Sequence, residues 1–157
     1  MRQSKQSSKV LQEEHHSAES LLSALETVTA QAEQLRTLLA RLDLQKLVLD
    51  QHAAVTECDA DGYFTYVNDK FCNLSGYTRD ELMGQSHAIV NADVHPASFW
   101  QAMHQAVITG GVWQSEVCNR RKDGSYLWLV QTIAAVRDDH GTITAYIEVG
   151  ADITETK

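Results

Sequence analysis

Proline occurs once in this chain, at Pro96, and neither glycine nor proline appears before Gly62. Nothing therefore breaks a helix anywhere in the N-terminal third. Cysteine is scarce as well: Cys58, Cys72 and Cys118 are odd in number and lack CxxC spacing, so neither a disulfide framework nor a zinc site is indicated. Buried free thiols are the expectation. No apolar run approaches the roughly 18 residues of a membrane span, and the opening MRQSKQSSKVLQEEHH has no apolar segment of the signal-peptide kind. A soluble, cytoplasmic protein is expected. Basic residues are the minority, 13 Lys and Arg against 21 Asp and Glu, and a formal charge of −8 argues against a nucleic-acid surface. The cluster Arg120-Arg121-Lys122 reads as a solvated corner or a phosphate contact. No Ser/His/Asp or paired-carboxylate constellation is readable, so no enzymatic activity is expected.

What the chain does have begins with a stripe. Ala18, Leu21, Leu25, Val28, Ala32, Leu35, Leu39 and Leu42 alternate at spacings of three and four, the seam of a coiled coil. A helix is expected from about Leu11 to Asp50, close to 60 Å long at about 1.5 Å per residue. A narrow Leu stripe needs a partner to cover it, and a parallel homodimer is the leading expectation. The alternative is a helix folded back on its own domain. Residues 1–50 are read as this coiled-coil segment and 51–157 as a globular domain. With 43% hydrophobic residues the chain can supply that domain with a real core.

Within the domain, residues 53–58 and 63–67 flank Asp59-Ala60-Asp61-Gly62 as a hairpin. Asn68 is placed to cap a short helix closed by Ser75-Gly76, and Thr78-Arg79-Asp80-Glu81 forms a capping box for a single turn. Pro96 fits the first turn of a helix from Pro96 to Thr109, which Gly110-Gly111 ends. Residues 113–152 then read as three antiparallel strands, with turns at Lys122-Asp123-Gly124-Ser125 and Asp138-Asp139-His140-Gly141. The expected fold is α+β: an antiparallel sheet with short helices on one face, preceded by the long helix.

These residues reach a family pattern. Asp61-Gly62, Tyr66-Val67-Asn68-Asp69-Lys70-Phe71, Ser75-Gly76-Tyr77-Thr78, Glu81-Leu82-Met83-Gly84, Asn119-Arg120-Arg121-Lys122-Asp123-Gly124 and the terminal Asp152-Ile153-Thr154 linker motif strongly resemble a PAS domain over about residues 50–157. The resemblance implies a five-stranded antiparallel sheet and a sensory module that binds haem, a flavin, a small metabolite or nothing. It also implies a downstream effector domain or signalling partner. The stretch Gly84-Gln85-Ser86-His87, together with Trp100, Trp113 and Asn119, looks most like the FAD-binding PAS domains of bacterial aerotaxis transducers and nitrogen-fixation redox regulators. Those transducers carry a basic Arg-His pair where this chain has Asn91-Ala92. Photoreceptor members need Cys in the Gly-x-x-Cys position, which His87 occupies here.

Carried over position by position, the resemblance implies that His87 faces the flavin ring, that Trp113 opens the third strand and that Asn119 bonds the ring edge. Alternation along the strands adds that Trp113, Ser115, Val117 and Asn119 share one face, and that Leu127, Leu129, Gln131 and Ile133 share another. Such a bed is apolar with amides at its edges, and it suits a flat heteroaromatic ring. The candidate cofactor-binding residues are therefore His87, Asn91, Trp100, Trp113, Val117, Asn119, Arg121, Leu129 and Gln131, with FAD as the expected cofactor and Arg120 or Arg121 at the rim for a pyrophosphate. Haem, held by His87, His95 or His104, is one alternative. A cofactor-free dimerisation module is the other.

Overall fold

The computed structural model describes residues 2–157. Helix α1 (Arg2–His52) is followed by strands β1 (Ala54–Asp59) and β2 (Phe64–Val67), helices α2 (Asp69–Ser75) and α3 (Arg79–Leu82), a 3₁₀ turn at His87–Val90, and helix α4 (Ala97–Ile108). Strands β3 (Trp113–Arg120), β4 (Tyr126–Arg137) and β5 (Ile143–Asp152) complete the sheet, and a second 3₁₀ turn spans Thr154–Thr156. Among the described residues, no helix is long and apolar enough to cross a membrane.

The chain divides into two compact units, the residues up to Lys46 and Leu47–Lys157. The first is helix alone. It starts nine residues before the Leu11 expected from the apolar stripe, because nothing in this polar stretch breaks a helix and Lys9–Glu13 and His15–Glu19 pair one turn apart. Its apolar stripe is uncovered: Leu21, Leu25, Val28, Leu35, Leu39 and Leu42 are 51% to 69% exposed.

In the second unit the five strands take the order β2-β1-β5-β4-β3, with every neighbouring pair antiparallel. Register places Trp113 opposite Ile133, Ser115 opposite Gln131, Val117 opposite Leu129 and Asn119 opposite Leu127. The two expected faces are thus one continuous face. It extends across β5 and β1, where Ile133 faces Glu148 and Glu148 faces Thr56. Gly150, opposite Gln131, leaves little room for a side chain, since a Cβ there would lie 3.0 Å from Leu129 Cδ1 and the buried Leu129 would have to give way.

Local chemistry sets the helix ends. Asn68 caps α2 by accepting the Phe71 N–H, and Gly76, at φ 77°, closes the helix by donating to the Cys72 carbonyl. Asn68 does more, because its side chain also accepts from Val55 N and donates to Ala53 O and Asp50 Oδ1. One buried amide thereby joins the end of α1, the start of β1 and α2. Thr78 and Glu81 form the capping box of α3. Pro96 is the N-cap of α4 rather than its first helical residue, one position before its expected place. The His87–Val90 turn was not expected at all. A buried cluster of Ala54, Cys58, Phe64, Val67, Phe71, Leu82 and Val90 packs β1, β2, α2, α3 and this turn together.

Candidate ligand cavity

Between α4 and the sheet lies a cavity of about 380 Å³. Helix α4 contributes Trp100, Met103 and His104, the sheet contributes Cys58, Ile133 and Tyr146, and Asp61 and Gly62 of the β1–β2 turn also line it. Asn91 is brought in by an isolated backbone bridge to Asn119. No Lys or Arg is among the lining residues.

Two amides at this cavity are incomplete. Asn119 is 2% exposed and Gln131 4%, and Asn119 Nδ2 and Gln131 Oε1 have no hydrogen-bond partner. A buried polar atom left unpaired costs on the order of 1 to 3 kcal/mol. A ligand offering an acceptor to Asn119 and a donor to Gln131 would remove both costs.

The other end of Gln131 is fixed. Its Nε2 donates to Glu148 Oε2, which also pairs with His87 Nε2 at 2.9 Å and accepts from Thr56 Oγ1 at 3.3 Å. The Glu148 side chain is only 11% exposed. Burial opposes charge on His87, but the facing carboxylate and its hydrogen bond outweigh burial and raise the imidazole above its ordinary range. Cys58 is pushed up to about 12, by burial first and then by the charges of Glu148 and Asp59, so the thiol stays protonated and is a poor nucleophile.

Of the residues singled out by sequence, the structure brings His87, Asn91, Trp100, Asn119 and Gln131 to the cavity. Four others lie elsewhere. Val117 and Leu129 face each other fully buried in the sheet packing, and Trp113 stands edge-on to Phe99 with ring centroids 5.1 Å apart. Arg121 donates to the carbonyls of Leu74 and Tyr126, each at 2.8 Å, and so braces the β3–β4 turn instead of a cavity rim. Arg120 likewise donates to Ala92 O. Among the histidines weighed for haem, His87 and His104 line the cavity, whereas His95 Nε2 is engaged by the Cys118 N–H. Sequence reasoning missed Cys58, Met103, Tyr146 and Glu148. The parity that puts Glu148 in line with Tyr146 and Gly150 was available, but apolar neighbours on both sides, Ile147 and Val149, hide which face is inside.

The family model for the PAS domain matches residues 52–155. The chain belongs to the PAS domain family. This PAS domain is 32% identical over 107 residues to the aerotaxis receptor of Escherichia coli (strain K12), covering 68% of this chain and 21% of that protein. It is 25% identical over 108 residues to the nitrogen fixation regulatory protein of Klebsiella pneumoniae, covering 69% of this chain and 22% of the relative. Among solved structures, an RNA-binding light-oxygen-voltage receptor matches with a TM-score of 0.65 and 28% identity over 76% of this chain and 35% of that one. A light-oxygen-voltage domain studied with a flavin analogue matches with a TM-score of 0.63 and 24% identity over 73% of this chain and 87% of its own, a likeness of fold. The PAS chain spans about a fifth of the length of these curated relatives. A signal-sensing PAS domain, with the five-stranded sheet and the long N-terminal helix expected from sequence, is what these findings describe.

Proposed function

We propose that this PAS domain holds a flavin between α4 and the sheet and relays the state of that flavin through a homodimer joined by α1. The carrying observation is the pair of unpaired buried atoms, Asn119 Nδ2 and Gln131 Oε1, at an apolar slot walled by Trp100, Met103, Ile133 and Tyr146. A flat ring with polar edges meets both needs at once. The volume of about 380 Å³ is near the lower end of the roughly 300 to 1,000 Å³ common for ligand pockets, which suits the three-ring head of FAD with its nucleotide end outside. Relatives named for aerotaxis and for nitrogen-fixation regulation, and a neighbour studied with a flavin analogue, support the same reading.

Bound flavin would supply reversible redox chemistry in which a ring nitrogen gains a proton on reduction. Asn119 and Gln131 would orient the ring, and α4 would shield it from water. Any change at Asn119 on β3 would reach β4, and any change at Gln131 on β4 would reach β5, through the strand ladders. From β1, the buried amide of Asn68 continues to Asp50 at the end of α1. A cytoplasmic module feeding an effector domain or signalling protein, with binding and relay but no catalysis, completes the proposal.

The test is an absorption spectrum of the purified chain, before and after incubation with FAD. Flavin bands that bleach on reduction are the expected result. A colourless protein that takes up no FAD would overturn the flavin and favour a cofactor-free dimerisation module, a reading for which the uncovered Leu stripe of α1 speaks independently of the cavity. A sharp Soret band would mean haem.

A further inference from the structure

Glu148 does something that the flavin reading does not require. Ionised, a carboxylate can only accept hydrogen bonds, whereas an amide has one donating and one accepting end. Gln131 touches Glu148, so its nitrogen must face the carboxylate and its oxygen must face the cavity. The reverse orientation would set oxygen against oxygen in a buried place. Glu148 is itself held in place by His87 and Thr56, which both bond the same Oε2. The other titratable groups lining the cavity are Cys58, Asp61, His104 and Tyr146, none of which is a hydrogen-bond partner of Gln131.

We infer that Glu148 is a positioning residue that locks Gln131 with its oxygen toward the ligand, so that the cavity prefers a ring presenting an N–H there over the same ring with a bare nitrogen. The inference rests on the flavin reading for its ligand, though not for the lock itself. On that reading, an external reductant delivers two electrons, a proton joins the ring nitrogen, and an acceptor becomes a donor. Gln131 Oε1 pairs with the donor and repels the acceptor. The lock therefore favours the reduced ring and raises its midpoint potential.

The experiment has two arms. In the flavin-loaded chain, Glu148→Gln frees Gln131 to turn, and the midpoint potential should fall by about 30 mV, a tenfold change for a two-electron couple. Loss of the carboxylate charge alone would raise the potential, and Gln131→Met, which leaves the His87–Glu148 pair in place, separates the lock from any loss of charge on His87. Gln131→Met deletes the accepting oxygen outright and should lower the potential as well, which covers failure of the first variant to fold. An unchanged or raised potential in either folded variant would overturn the inference. The second arm uses the ligand-free chain and the side-chain amide signals of Gln131 in nitrogen-proton NMR. Glu148→Gln should shift them, whereas Thr56→Val, which spares the Gln131 bond, should not. If the wild type takes up no flavin, the functional reading falls while this arm still decides the lock; identical Gln131 signals with and without Glu148 would sink it.

Discussion

The backbone N–H of Cys118 donates to Nε2 of His95 across 2.9 Å, so this imidazole carries its proton on Nδ1 and must stay neutral to hold the edge of β3. His95 also stacks on Phe99 with ring centroids 4.1 Å apart and meets Trp100 and Trp128 edge-on. The segment leading into α4 is thereby pinned to the sheet beside the cavity.

The pin has a pH signature. Burial lowers the His95 pKa below its ordinary value of 6.5, so near and below that pH the unfolded chain binds a proton that the folded one resists. Its stabilising contribution is complete above the unfolded value and is lost as pH falls through the folded one. His87 behaves oppositely: its raised pKa gives stability that is full below 6.5 and is lost as pH rises through the folded value. Urea midpoints measured from about pH 5 to 8 should lose their acid-side decline in His95→Phe and their alkaline-side decline in His87→Phe. Unaltered profiles would show that neither contact governs folding.

Asn68→Ala should be among the most damaging single changes in the domain. Its side chain makes four hydrogen bonds, and removing it strands buried groups of Val55 and Ala53 as well as the α2 cap. A loss of about 2 to 4 kcal/mol is expected in urea unfolding. A loss near zero would mean that water replaces the amide.

The proposed dimer can be tested without any ligand. Burying a Leu is worth about 1.5 to 3 kcal/mol, and Leu35 is 56% exposed in the single chain. Leu35→Glu should shift the protein toward monomer in sedimentation velocity, and Arg36→Glu, off the stripe, should not. Equal effects would remove α1 as the dimer contact.

For the cavity, Asn119→Ala and Gln131→Ala should each weaken flavin retention about tenfold, the equivalent of roughly 1.4 kcal/mol. Trp113→Ala should have little effect, since that ring packs on Phe99 and is not among the lining residues. Loss of flavin in the Trp113 variant alone would place the ring at the Trp113 end of β3 instead.

Sequence disclosed most where the chemistry is local. The Asn68 cap, the Thr78–Glu81 box, the Gly76 stop and the two turns of the meander each involve residues only a few positions apart, and all are present. Parity along β3 and β4 gave the inward face, though not its depth: Asn119 and Gln131 reach the cavity while Val117 and Leu129, on the same face, are sealed in packing. The Glu148 cluster was out of reach for the same reason that makes it informative. Its partners Gln131, His87 and Thr56 lie 17, 61 and 92 residues away in sequence; the pairing of β5 between β1 and β4 collects Gln131 and Thr56, and the His87–Val90 turn, tied by His87 N to Gly62 O, brings His87.

That central place of β5 also governs when the domain can exist. During synthesis the β1–β2 hairpin and the β3–β4 hairpin are made first, and each leaves the ribosome with a bare strand edge that only β5 can fill. Contacts between β1 and β5 span some ninety residues, as in Thr56 and Glu148, so closing the sheet is expected to come late, after a large loop has been ordered. Helix α1 is complete long before then. Truncation anywhere within β5 would leave two half-sheets with open strand edges able to pair with other chains.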